Sequence, residues 1–321
     1  MLKSLYFECA FKKRKSNNLQ NFPHPQMTRR ISLVNFKGGV GKTSLTVNIA
    51  AFLAHEFGQR VLLVDCDAQS NASFWLLGAR RWNEINEKPQ RSVYAAFMDK
   101  NYAPPLHQNI VKGVLESSSG AKLIARLDLL PACYELMELE HAQLDANKPF
   151  YLKFYEELAG VFGNYDYIIF DCPPNVFRAC QAAIFTSEEI YVPCNPDELS
   201  YAGLSLLARK VEQFHGQSLL AQNQIEGYRH ALIRGVIFNG VQGAANFSDV
   251  ITKIQMRILQ LRKQKVLSSD ADTLSPRIRF AVHASRIVGE HLPVALDRKG
   301  NPNLYEDYLN LCRFIHTSPL D

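Results

Sequence analysis

The chain is expected to be an α/β protein with a mostly parallel, twisted sheet and helices on both faces. Three observations predict this. Short, nearly continuous runs of Val, Ile and Leu recur at residues 31–36, 61–65, 127–131, 167–171, 190–193 and 232–239, the pattern of strands buried on both sides. Stretches with helical spacing separate them. The 321 residues, 47% of them apolar, are enough for one large core.

Regular patterning begins near Arg30, so residues 1–28 read as a basic N-terminal extension and 29–321 as a single domain. Met27 stands just ahead of the first strand, and a start there instead of at Met1 would remove most of the extension. Residues 12–15 (Lys-Lys-Arg-Lys) interrupt what would be the apolar core of a secretory leader. No run approaches the roughly 18 apolar residues that a membrane span needs, so no integral membrane segment is expected. The seven cysteines never form C-x-x-C, and read as reduced core residues of a cytoplasmic protein. A net charge of +5 permits contact with an anionic partner without establishing one. Residues 78–126, with prolines at 89, 104 and 105, read as an elaboration within the domain.

The strand at 31–36 runs straight into Lys37-Gly38-Gly39-Val40-Gly41-Lys42-Thr43-Ser44. A helix follows, marked by Leu45, Ile49, Phe52, Leu53 and Phe57 and stopped by Gly58. Strand, glycine loop and helix in that order form a phosphate cradle: the glycines let backbone N–H groups approach phosphate oxygens at the positive end of a helix dipole. Lys42 then meets the β- and γ-phosphates, and the Thr43 hydroxyl is placed to ligate Mg²⁺. This makes the fold class that of a P-loop NTPase.

Phe36 stands where the ordinary loop pattern has its first glycine. The loop instead resembles the deviant Walker A sequence K-G-G-x-G-K-[ST]-[ST] of the ParA/MinD family, closest to its ParA-type, Soj-like partition ATPases. Val64-Asp65-Cys66-Asp67-Ala68-Gln69-Ser70-Asn71 resembles the family's first switch, and the run from Tyr165 to Asp171-Cys172-Pro173-Pro174 resembles its Walker B strand and second switch. Weaker similarity covers Leu129 to Ala132, Val192 to Leu204 and Asn239.

The resemblance implies ATP and Mg²⁺ as cofactors, with ATP held by Lys37 to Ser44. Lys37 would reach the nucleotide of a second copy in an ATP-bound homodimer. Asp67 would orient the attacking water, making it catalytic with Lys37 and Lys42. Thr43, Asp65 and Asp171 would serve the metal, the carboxylates through water, and Asn239 would touch the adenine base.

Members of this family act on DNA or on membranes. The C-terminal helical stretch, residues 305–315, carries Glu306 and Asp307 against Arg313, a poor anchor for an anionic bilayer. Residues 251–286 carry Lys253, Arg257, Arg262, Lys263, Lys265, Arg277, Arg279 and Arg286 against Asp270 and Asp272. These are the candidates for contact with the DNA backbone. Ile251, Ile254, Ile258 and Leu261 also fit a merely solvated amphipathic helix.

The expected function is therefore non-specific DNA binding by an ATP-dependent dimer. A ParB-like or other partner would stimulate hydrolysis, and the protein would be nucleoid-associated. The alternatives are a MinD-like or secretion- or polymer-synthesis-associated ATPase at a membrane complex, a dethiobiotin- or cobyrinate-synthase-like ligase, and a nucleotide-switched scaffold.

Overall fold

The computed structural model describes residues 28–98, 103–117, 119–142, 148–242, 247–263, 266–275 and 277–319. The expected extension at 1–28 lies, apart from Thr28, outside the described residues, as does Lys265. Seven parallel strands form one sheet: β1 (Arg29–Leu33), β2 (Val61–Asp65), β3 (Leu127–Leu130), β4 (Tyr167–Asp171), β5 (Glu189–Cys194), β6 (Leu232–Phe238) and β7 (Leu267–Thr273). Their spatial order is β3-β2-β4-β1-β5-β6-β7, with β1 inside the sheet between β4 and β5.

The helices are α1 (Lys42–His55), α2 (Asn71–Asn86), α3 (Phe150–Ala159), α4 (Arg178–Thr186), α5 (Glu198–Gln217), α6 (Leu219–Gln222), α7 (Ser248–Leu261), α8 (Val282–Gly289) and α9 (Pro302–Thr317). Alternation along the strands divides the core in two. Leu62, Val64, Ile168 and Phe170 face a layer containing α3, α4, α5 and α7, whereas Val61, Leu63, Tyr167 and Ile169 face one containing α1, α2 and α9.

The apolar runs find six of the seven strands, with ends shifted by up to three residues. β1 ends at Leu33; the Val34 N–H still donates to the Tyr191 carbonyl at 3.1 Å, and the Asn35 amide then donates to the Pro193 carbonyl at 2.5 Å. The seventh strand, β7, has no apolar run to reveal it. Its sequence, Leu-Ser-Ser-Asp-Ala-Asp-Thr, is polar, as suits a strand that among the described residues lies at the sheet edge and pairs only with β6. In residues 78–126, α2 continues to Asn86 across a break at Gly78, and short 3-10 segments follow. Six cysteines are free and buried, and Cys9 lies outside the described residues. Among the described residues, no helix is long and apolar enough to cross a membrane.

The C-terminal helix belongs to the core. Leu304, Tyr308, Leu311, Cys312 and Ile315 of α9 are buried in the layer that contains α1, and the Phe52 and Tyr308 rings stack at 5.8 Å. Arg29 closes this end of the molecule, donating to Glu189 through two nitrogens and to the carbonyls of Ile315 and Ser318.

Candidate active site

β1, β2 and β4 end side by side, and the expected nucleotide residues collect at that edge. Gly41 precedes α1 with φ of 79°, in the left-handed region, and no side chain caps the helix. The N–H groups of its first turn are therefore left to an incoming anion. The Gly41 conformation is doubly constrained, because a Cβ there would also overlap the Asn239 amide.

That amide donates to the Val40 carbonyl at 2.9 Å. Asn239 thus braces the loop from the end of β6, with its second amide N–H and its Oδ1 not used in this bond. The Ser44 hydroxyl lies 3.4 Å from that of Tyr308, tying the loop to α9.

Lys42 is buried and donates to the Lys37 carbonyl at 3.2 Å. Burial lowers its pKa, opposed by the charges of Asp171 and Asp67. The Lys37 ammonium pairs with Asp197, whose carboxylate also caps α5 by accepting from the Ser200 N–H at 2.8 Å. Sequence reasoning missed Asp197. Its position just ahead of α5, in Asn195-Pro196-Asp197, is a recognisable helix-capping signal.

Asp171 closes the floor of the site. Thr46 donates to its Oδ1 at 3.1 Å, while Oδ2 is buried with no hydrogen-bond partner among the described residues. Burial pushes its pKa up to about 7, opposed by the neighbouring Thr43 and Thr46 hydroxyls and by the charge of Lys42. A buried carboxylate oxygen without a partner, beside the Thr43 hydroxyl, is a donor set suited to a hard divalent cation. Mg²⁺ fits these residues, and would supply charge neutralisation at the phosphates.

Asp65 and Asp67 separate in role. Asp65 is fully buried beside Asp171 in the β2–β4 register. Its Oδ1 accepts the Asp67 N–H at 3.1 Å, and its Oδ2 accepts the Ser73 N–H at 2.8 Å and the Ser73 hydroxyl at 2.7 Å. Both oxygens therefore accept from the switch backbone and α2, and any part in the metal's water shell, which the family resemblance implies for Asp65, would have to be played beside these bonds. Burial and the charge of Asp171 raise its pKa well above the usual carboxylate range. Asp67 remains at the site, 8% exposed, with Oδ1 accepting the Gln69 N–H at 3.0 Å. Its pKa is raised by burial and opposed by Lys42.

The basic candidates meet a different fate. Lys253 pairs with Glu198, Arg279 with Asp307 at 2.6 Å, and Arg286 with Glu290 at 3.5 Å. Arg257 donates to the Tyr201 hydroxyl, and Arg262 donates through two nitrogens to the Ala271 carbonyl, tying α7 to β7. Lys263 and Arg277 are exposed, the latter with its guanidinium 6.0 Å from the Phe238 ring centre. The predicted apolar stripe, Ile251, Ile254, Ile258 and Leu261, is buried.

A family model for an AAA domain matches residues 28–225. The sporulation initiation inhibitor protein Soj of Bacillus subtilis is 34% identical over 185 residues, 58% of this chain and 65% of that protein. The chromosome partitioning protein ParA of Caulobacter vibrioides is 31% identical over 201 residues, 62% of this chain and 67% of that one. Among solved structures, the ATP complex of a Cyanothece McdA variant superposes with a TM-score of 0.66 at 16% identity, covering 92% of this chain and 99% of the other. With the glycine loop at the end of β1 and the acidic ends of β2 and β4 beside it, these matches establish that the chain belongs to the ParA/MinD family of P-loop ATPases.

Proposed function

We propose that this ATPase closes into a homodimer on binding ATP, holds DNA without sequence preference and partitions a plasmid, chromosome or other cargo. A partner protein stimulates the Mg²⁺-dependent hydrolysis of ATP to ADP and phosphate, which releases the dimer from DNA. It acts in the cytoplasm, at the nucleoid. What supports this reading is the extra loop lysine, Lys37, which the family resemblance sets at the nucleotide of a second copy and which here rests in an intrachain pair. Lys42 lies buried at the loop, whereas the Lys37 ammonium reaches Asp197 in a pair whose side chains are 31% and 39% exposed. Such a pair is worth about 0–1 kcal/mol, little enough for a nucleotide on a second copy to displace it.

Two further features favour this reading. The relatives include proteins named for chromosome partitioning. The apolar face of α9 is largely occupied by the core, which leaves Phe314 exposed on a helix that also carries Glu306 and Asp307, a poor anchor for an anionic bilayer. For the chemistry, Asp67 orients the attacking water, Lys42 holds the phosphates, and Thr43 and Asp171 hold the metal.

The test is ATP-dependent retention on non-specific DNA across a salt series, for the wild type, Lys37→Ala and Asp67→Ala. The wild type and Asp67→Ala are expected to bind with ATP and to release as salt rises, and Lys37→Ala is expected not to bind. Absence of DNA retention under every nucleotide state would overturn the partition reading in favour of action at a membrane or protein complex.

A further inference from the structure

Ser73 lies in the first turn of α2, has no exposed surface, and has no counterpart among the residues expected to carry chemistry. Its hydroxyl and its backbone N–H converge on one oxygen of Asp65, at 2.7 and 2.8 Å. The other oxygen of the same carboxylate holds the Asp67 N–H at 3.1 Å. The Ser73 hydroxyl also accepts the Ala132 N–H at 2.9 Å, just beyond the end of β3. A chain of hydrogen bonds therefore runs from the β3 exit through Ser73 and Asp65 to the backbone of Asp67.

Asp65 is shut off from water and lies beside Asp171, so protein donors must fix its rotamer. Removing the hydroxyl would leave Oδ2 with the single Ser73 N–H and the Ala132 N–H without its acceptor. Asp67 also sits next to a constrained turn. Ser70 has φ of 53°, and its N–H bonds the Asp67 carbonyl at 2.8 Å. A small rotation of Asp65 would be passed directly to that turn.

We propose that Ser73 is a positioning residue for ATP turnover, setting the place of Asp67 through the Asp65 carboxylate. The inference rests on the reading of Asp67 as the residue that orients the attacking water. Ser73 makes no bond to the glycine loop, Lys42 or Thr43, so its loss acts on turnover and not on nucleotide affinity.

The experiment measures kcat and KM for ATP, and the affinity of a fluorescent non-hydrolysable ATP analogue, on the full chain. The variants are Ser73→Ala, Ser73→Thr, Asp65→Asn, the Ser73→Ala/Asp65→Asn double variant, and Asp67→Asn. Ser73→Ala is expected to lower kcat about ten-fold and to leave analogue affinity within about two-fold. Ser73→Thr, which keeps the hydroxyl, should recover most of the loss. The double variant should be no slower than Asp65→Asn alone, because the two residues act in series.

An unchanged kcat in Ser73→Ala, additive losses in the double variant, or a parallel fall in analogue affinity each overturns the proposal. Ser73→Cys, similar in size and a weak donor, supplies the same comparison if the alanine variant does not fold. If Asp67→Asn turns over like the wild type, the assignment of Asp67 itself fails and the proposal falls with it. Failure confined to the Ser73 variants leaves that assignment standing.

Discussion

The glycine loop at 37–44 and the basic segment at 251–286 carry comparably conspicuous sequence signals, yet folding treats them oppositely. In the loop, the groups proposed to act are main-chain N–H donors and two lysines, whose placement follows from local conformation at Gly41 and from the helix that starts at Lys42. In the basic segment, the groups that act would be side chains, whose availability depends on residues far away in the chain. Glu198, Tyr201 and Asp307 lie outside the segment and engage Lys253, Arg257 and Arg279. A backbone motif keeps its meaning on folding, whereas a charge count does not.

The most severe way to test the first half of that contrast is Gly41→Ala. The substitution imposes a Cβ on a residue with φ of 79° and drives it into the Asn239 amide. ATP-analogue affinity is expected to fall at least ~100-fold, about 3 kcal/mol. The double variant Gly41→Ala/Asn239→Gly removes the overlap but not the backbone strain, so it should recover only part of the loss. Full recovery in a titration of the double variant would show that the clash, and not the conformation, is what the glycine avoids.

The same contrast explains what is legible in the sequence. Strands β2 and β4 can be read to the residue because they are buried on both faces and have nothing but apolar side chains ahead of their terminal aspartates. The polar edge strand β7 has no such run, and Arg262 cannot be seen as its tether until Ala271 is placed beside it. Asp65 has the look of a metal residue because it leaves a strand end two positions before Asp67. What it binds is decided by Ser73, whose burial against β2 depends on how α2 packs. Asp197 is visible as a helix cap, but its pairing with Lys37 joins residues that are 160 apart.

Arg262→Ala sharpens the second half of the comparison. Because the guanidinium spends two donors on the Ala271 carbonyl, its loss is expected to cost about 1–2 kcal/mol of unfolding free energy in urea titrations. DNA affinity at fixed salt should change by less than about three-fold, the effect expected of a structural arginine. A larger loss of DNA affinity with unchanged stability would return Arg262 to the DNA-binding set.

The smallest effects separate the remaining charges. Lys263, Arg277, Lys253 and Arg286 are all exposed, but Lys253 and Arg286 also face Glu198 and Glu290 in surface pairs, whose strength as a barrier to DNA contact is what the comparison tests. If the protein holds DNA through side chains that folding leaves available, Lys263→Ala/Arg277→Ala should weaken retention of the ATP-bound protein. It should also flatten the dependence of log affinity on log salt by about 2, near one unit for each phosphate that the protein no longer neutralises. Lys253→Ala/Arg286→Ala removes the same formal charge but residues already paired within the chain, so the slope should change by less than about 1. Equal slopes for the two double variants would mean that DNA senses the summed charge of this face, and that intrachain pairing does not withdraw a residue from binding.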